Sequence, residues 1–249
     1  MSEAGLQLNG KVAIVTGAGR GIGRAIAQAY AAAGAAVCCA ARTIPEIDAT
    51  VHQIVADGGQ GLAVATDVTL LAAVQHMVQV TVETFGGLDI LVINAGVGGE
   101  RRHVEDTDPE AWRLTLEINL LGAYFCAQAA IPALKQRGAG KIITIGSGIG
   151  HRGMVDTSAY ACAKAGLWML TRVLAQELAP SRISVNELIP GPVSTSLTAA
   201  QSTQRQGVFA IEEEWTKAPD DVVPLALFLA TQPEIGPTAQ SFSLMRRDN

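Results

Sequence analysis

The stretch "KVAIVTGAGRGIGRAIA", residues 11–27, decides the fold. An apolar run over 11–17 leads into glycines, and an Ala-rich helical pattern follows at once. Glycines 17, 21 and 23 permit a tight turn and let the backbone approach a ligand closely. The helix that follows points amide groups and the positive end of its dipole at a bound pyrophosphate. The spacing is G-x-x-x-G-x-G rather than G-x-G-x-x-G. The strand–turn–helix context, more than the glycines themselves, therefore predicts a nucleotide site.

Outward from this stretch the same alternation repeats. Short apolar runs at 35–41, 61–66, 88–94, 141–147 and 183–189 read as further strands, and helical patterns lie near 22–33, 45–57, 70–85, 109–136 and 158–179. The near-continuous apolar character of the runs suits strands covered on both faces. The expected fold is α/β, a Rossmann-type doubly wound, predominantly parallel seven-stranded sheet with helices on both faces. A helix near 220–231 and a strand near 239–245 close the chain. One domain over 1–249 is expected, with a substrate loop at about 192–217, because "GPVSTSLTAAQSTQRQGVFAIEEEWTKAP" (191–219) is long for a simple connection.

Composition narrows the function. Lys and Arg number 18 against 23 Asp and Glu, giving a net charge of −5 with the cations scattered, so a nucleic-acid surface is not expected. The amino terminus lacks the basic and apolar regions of a secretory signal. Residues 25–41 are apolar enough to suggest a membrane span, but Gly34 divides them into a buried helix and a buried strand, so no membrane partner is expected. Cys38, Cys39, Cys126 and Cys162 lie in apolar stretches without metal-type spacing. They read as reduced core thiols of a cytoplasmic protein, with no metal.

The end of the second strand selects between dinucleotides. An acid there hydrogen-bonds a ribose 2′-hydroxyl, and a nearby Arg accommodates a 2′-phosphate. The chain reads "CCAART": Ala41 stands at the acidic position and Arg42 follows, with Arg20 in the turn as a second cation. NADP(H) is expected over NAD(H), the alternative being two solvated surface arginines.

Tyr160 and Lys164 in "SAYACAKAGLWML" (158–170) are neighbours on one helical face. Alone they read as a partly buried phenol beside a solvated ammonium. Together with "TGAGRGIG" (16–23), "NAG" (94–96), Asn119, Ser147 and "PG" (190–191), they make a chain that resembles the short-chain dehydrogenase/reductase family in its compact form, over roughly residues 8–245. The resemblance implies a catalytic set of Asn119, Ser147, Tyr160 and Lys164. A free tyrosine ionises near ~10, and a neighbouring cation favours the phenolate, so Lys164 is expected to lower the Tyr160 value. Tyr160 is then the general acid for ketone reduction and the general base for alcohol oxidation. Ser147 hydrogen-bonds the substrate oxygen. By resemblance Lys164 also binds the nicotinamide ribose, and Asn119 holds a water that links Lys164 to solvent. The alternative for Asn119 is a helix-breaking polar residue satisfied by water.

The resemblance further implies cofactor contacts from Gly17, Gly19, Arg20, Gly21, Ile22 and Gly23, and from Asp67 with Val68 at the adenine. Asn94, Ala95 and Gly96 would meet the adenine-side ribose, and Tyr160, Lys164, Pro190, Gly191, Val193 and Thr195 the nicotinamide half. Asp67 also reads as an N-cap for a helix starting near Leu70. Cys162 points away from the Tyr–Lys face and reads as packing.

For substrate, Ser147 and Tyr160 are joined by Ile149, His151, Arg152, Met154 and Val155, and from the loop by Leu197, Phe209 and Trp215. Reductases of 3-oxoacyl groups on acyl carrier protein typically dock the acidic carrier with two arginines, and the matching positions here are Pro132 and Gln176. A small-molecule ketone or secondary alcohol is therefore expected over a carrier-bound chain. A catalytically silent dinucleotide sensor is the reading from another class. Relatives assemble through the last strand as dimers or tetramers, and here "PTAQSFSLMRRDN" (237–249) departs from their pattern, with Ala239 where Gly is common.

Overall fold

A computed structural model describes residues 7–195 and 215–245. Its centre is a seven-stranded sheet of β1 Val12–Thr16, β2 Ala36–Ala41, β3 Gln60–Ala65, β4 Ile90–Ile93, β5 Gly140–Ile145, β6 Ile183–Ile189 and β7 Ser241–Ser243. The order is β3-β2-β1-β4-β5-β6-β7 and every pairing is parallel. The order reverses between β1 and β4. In sheets of this kind the crevice beyond the carboxyl ends of the strands at that point is where ligands bind.

Consecutive residues of a strand face opposite sides, and Cys38 and Cys39 show both sides to be buried. Cys39 packs with α1 (Gly21–Ala32) and α8 (Val223–Thr231) through Ile26, Tyr30 and Ala226, while Cys38 packs with α3 (Leu71–Phe85) through Val74 and Met77. α2 (Ile44–Ala56) joins the first layer through Ile47 and Ile54. α5 (Gly122–Arg137) and α7 (Ser158–Leu178) join the second through Ala127, Leu134, Leu167 and Leu174. The Tyr30 hydroxyl donates to the Ala226 carbonyl at 2.8 Å, tying α1 to α8.

Four departures from the sequence reading have physical causes. The pattern over 109–136 is not one uniform helix. α4 (Pro109–Leu116), capped by Asp108, passes through a π-turn at Glu117–Leu121 before α5. Asp67 does not cap α3, since its Oδ1 accepts instead from the Thr69 amide (3.0 Å) and hydroxyl (2.8 Å), closing a local turn three residues earlier. Cys38, Cys39 and Cys126 are buried but Cys162 is exposed, because α7 turns that position outward. The last strand is only three residues long, and Ala239 just before it has φ +59°.

Residues 25–41 divide into α1 and β2 as expected. Pro109–Arg137 is long and apolar enough to cross a membrane by composition, and 44% of its most apolar window is buried within this fold.

Candidate active site

Two adjoining cavities open at the carboxyl ends of the central strands. The first, about 190 Å³, is lined by the turn after β1 and the ends of β2, β3 and β4. The second, about 210 Å³, lies over the ends of β4, β5 and β6. Ile22, Asn94, Gly96, Val97 and Thr195 line both, so the two form one continuous cleft.

The first cavity gathers most of the expected phosphate and adenosine contacts. Gly17, Gly19, Arg20, Gly21, Ile22, Arg42, Asp67, Val68, Asn94, Ala95 and Gly96 all reach its wall. Gly17 and Gly21 have φ of +68° and +55°, conformations that favour glycine. Gly23 does not reach the wall. A Cβ there would strike the Gly17 carbonyl and the Asn94 amide, so its role is to let α1 pack against the turn. The first turn of α1 carries no acidic side chain, which leaves its dipole available to an anion.

Arg20 lies 3.6 Å from Glu46 of α2, and Glu46 also lines this cavity, a contact that the sequence reading missed. Arg42 is exposed at the rim. Asn94 fixes the two strand ends, its Nδ2 donating to Thr16 O at 2.8 Å. The Thr16 hydroxyl in turn accepts from the amides of Asn94 (3.0 Å) and Ala95 (3.1 Å). Thr16 is fully buried and was not singled out from the sequence.

In the second cavity Asn119, Ser147, Tyr160 and Lys164 line the wall together with Pro190, Gly191, Val193 and Thr195. Ser147 ends the chain's exit from β5 and caps the short α6 (Gly148–Arg152), accepting from the Ile149 amide at 3.3 Å. Lys164 is buried, its Nζ donating to the Ile145 carbonyl at 2.7 Å and lying 5.7 Å from the Tyr160 ring centroid. Desolvation pushes the Lys164 ammonium down to about 8, against the opposing pull of Glu187.

Tyr160 is shifted the other way from the expectation. Burial holds its phenol above the ordinary value, with the Ser147 hydrogen bond and the Arg101 charge acting in the lowering direction. Burial outweighs the lowering influences at the phenol, and the hydrogen bond of the Lys164 ammonium goes to the Ile145 carbonyl.

Asn119 sits in the π-turn and is buried. Its Nδ2 donates to Val97 O (3.0 Å) and Thr115 O (2.9 Å), and its Oδ1 accepts from the Val97 amide at 3.2 Å. Protein groups thus satisfy the amide, and they bind the helix to the loop after β4.

Of the substrate candidates, Ile149, Arg152 and Met154 line the second cavity with Ser147 and Tyr160. His151 does not. Its Nε2 lies 2.9 Å from Glu187 Oε2 and its ring is tilted against that of Trp168 with centroids 4.9 Å apart, so it faces the sheet instead of the cleft. Val155 and Trp215 are exposed and off the wall. Leu197 and Phe209 fall outside the described residues, which include only the ends of the 192–217 loop. Those ends are paired: Ser194 N donates to Lys217 O at 2.8 Å and Lys217 N to Pro192 O at 3.0 Å. Arg101 and Met245, not foreseen from the sequence, complete the wall.

Residues 11–206 match the family model of the short chain dehydrogenases, and the chain belongs to that family. Among curated relatives, trans-4-hydroxycyclohexanecarboxylate dehydrogenase of Sinomonas cyclohexanicum is 38% identical over 237 residues, 93% of this chain and 90% of that one. The 3-oxoacyl-[acyl-carrier-protein] reductase of a Synechocystis strain is 33% identical over 243 residues, 95% and 96% of the two chains. A solved structure of a gluconate 5-dehydrogenase-like protein from Beutenbergia cavernae, described as NAD(P)-dependent with bound NADP, superposes with a TM-score of 0.87 at 34% identity. The match covers 95% of each chain. The protein is an oxidoreductase of alcohol and carbonyl groups that uses a nicotinamide dinucleotide.

Proposed function

We propose that the protein interconverts a small-molecule ketone and its secondary alcohol with NADP(H), using Tyr160 as general acid and base. The observation that carries this reading is the meeting of Ser147, Tyr160 and Lys164 on the wall of a cavity continuous with the phosphate turn. Gly17, Gly19 and Gly21 hold the pyrophosphate against the start of α1, and Arg42, with Arg20, meets a 2′-phosphate. When bound, the nicotinamide supplies or accepts the hydride.

The residues of the chain handle the proton. In reduction the Tyr160 hydroxyl gives its proton to the substrate carbonyl oxygen while Ser147 donates a hydrogen bond to the charge growing there. A phenol held above its usual value stays protonated at neutral pH and suits the acid role, and the buried Lys164 ammonium stabilises the phenolate left behind. Asn119 braces the wall behind them.

The second cavity also carries Arg101 and Arg152, two guanidinium groups suited to an anionic substituent. The relative named for a hydroxycyclohexanecarboxylate supports the same direction, and a carboxylate-bearing cyclic ketone is the first substrate to try. The relative named for a 3-oxoacyl carrier substrate supports the alternative of a carrier-bound chain, and Pro132 and Gln176 at the carrier-docking positions speak against it. A silent sensor would have no use for the Tyr–Ser–Lys wall.

Exposed Leu114, Leu121, Tyr124, Met169 and Val173 on α4–α5 and α7 support a homodimer or homotetramer, and the three buried reduced cysteines support a cytoplasmic setting.

The test is purified protein with NADPH and a panel of ketones that includes 4-oxocyclohexanecarboxylate and a 3-oxoacyl carrier substrate. Loss of nicotinamide absorbance with the free ketones is the expected result. Turnover with the carrier substrate alone would select the alternative, and tight NADPH binding without turnover would select the sensor.

A further inference from the structure

Glu187, in the middle of β6, has no solvent exposure. Burying a carboxylate is costly unless it is paired, so its surroundings are informative. Its Oε2 meets His151 Nε2 at 2.9 Å and accepts from the Ser241 hydroxyl at 2.5 Å. Its Oε1 has no hydrogen-bond partner among the described residues. That oxygen lies against Gly146, where any Cβ would collide with the whole carboxylate end of the side chain.

Gly146 stands between two groups of the candidate site. On one side is Ile145, whose carbonyl holds the Lys164 ammonium, and on the other is Ser147. His151 is the fourth residue after Ser147 on the same short turn, and its side chain is only 26% exposed. The carboxylate thus touches the backbone that carries Ser147, the far end of the turn that Ser147 caps, and, through its field, Lys164.

We propose that Glu187 is a positioning residue of the active site: it clamps the Ser147 turn to the sheet through His151, and its negative charge keeps the buried Lys164 ammonium protonated beside Tyr160. This rests on the reading of Ser147, Tyr160 and Lys164 as the reacting groups. The charged and titratable groups around Glu187 and Lys164 are His151 and Arg152 on α6, Tyr160 on α7, and Arg101 on the cavity wall. β7 adds only the hydroxyls of Ser241 and Ser243, and Lys141 lies at the opposite end of β5, bonded to Ser184. Among these groups, Glu187 is the only anion. Its charge opposes the desolvation of Lys164 directly.

The test is Glu187→Gln, which keeps the shape and removes the charge. The Lys164 ammonium is followed by NMR of ¹⁵N-lysine-labelled protein, assigned with Lys164→Met, so the readout needs no turnover. The Lys164 midpoint is expected to fall by about one pH unit, a tenfold change in its ionisation constant. The alkaline limb of kcat should move down with it while KM for the cofactor changes little. Glu187→Asp, a milder variant should the glutamine form fail to fold, is expected to shift the midpoint part of the way in the same direction.

A folded variant whose Lys164 midpoint is unmoved overturns the charge role. His151→Phe should lower kcat about fivefold or more without lowering that midpoint, and an unchanged kcat overturns the clamp. A parent protein that reduces no ketone would reject the proposed reaction but still yield the Lys164 titration, so the two failures are separable.

Discussion

The Lys164 ammonium lies 5.7 Å from the Tyr160 ring centroid, yet its hydrogen bond goes to the Ile145 carbonyl at 2.7 Å. The sheet, not the phenol, anchors the lysine, and it acts on Tyr160 through its field across the ring. On the proposed mechanism, Tyr160 is needed for its proton and less for holding the cofactor. Tyr160→Phe should lower kcat by about 10³-fold, within the range for loss of a general acid. Its dissociation constant for NADPH, measured by calorimetry, should stay within about threefold of the parent, since the aromatic wall is retained. Unchanged turnover would remove Tyr160 from the mechanism.

Burial of Lys164 also has a sign in stability. Its folded value is pushed down to about 8 from an ordinary 10.5. Between those two pH values the unfolded chain binds the extra proton, so folding becomes more favourable as pH rises through the window. Below pH 8 the desolvated ammonium costs stability in full. Relative to Lys164→Met, the parent should therefore gain on the order of 1–3 kcal/mol between pH 8 and 10.5. Urea titrations of both proteins at several pH values measure this, and a pH-independent difference would refute it.

On the proposed reading, cofactor choice turns on Arg42. It is exposed at the rim of the first cavity, whereas Arg20 is already engaged by Glu46 at 3.6 Å. Arg42 thus carries more of any 2′-phosphate recognition than Arg20. Arg42→Ala should reduce kcat/KM for NADPH about tenfold or more, the scale of a lost charge-assisted contact, and leave NADH nearly unaffected. Ala41→Asp combined with it should turn the preference toward NADH, because an acid there accepts from the ribose 2′-hydroxyl and repels a phosphate. Equal losses for both cofactors would show that Arg42 acts on the fold and not on the phosphate.

The sheet was legible in the sequence because its strands are apolar on both faces and its helices lie between them in regular alternation. The first glycine turn was legible because the phosphate chemistry requires backbone and no side chain. What stayed hidden depends on contacts between distant residues. Nothing local distinguishes Glu187 in "ISVNELI" from a solvent-facing acid, and only the approach of His151 and Ser241 makes it a buried carboxylate. His151 read as a substrate contact for the same reason, since its direction is set by Glu187, thirty-six positions away. The π-turn at Asn119 follows from its bonds to Val97 and Thr115, and a uniform apolar pattern cannot announce it. Asn119→Leu would leave the Val97 amide and carbonyl without their partner, and should cost about 2–4 kcal/mol in chemical unfolding, with kcat falling as the wall loosens. A loss below about 0.5 kcal/mol would mean that these bonds are replaced by water.

Ala239 occupies the left-handed region with φ +59°, and its amide is bonded to the Val185 carbonyl at 2.9 Å, which holds it there. A Cβ in that conformation costs roughly 1–2 kcal/mol from its clash with the backbone carbonyl. Glycine avoids the clash but gives the unfolded chain more freedom, which returns about 0.5–1 kcal/mol of the gain. Ala239→Gly should therefore stabilise the protein by about 0.5–1 kcal/mol, read from the urea midpoint at constant slope. The segment joins α8 to β7, and β7 supplies Ser241 to Glu187 and leads to Met245 on the cavity wall, so the same variant also tests whether strain here reaches the site. If kcat/KM is unchanged while stability rises, the strain is confined to the turn. A loss of stability would show that the positive φ is not the conformation adopted in solution.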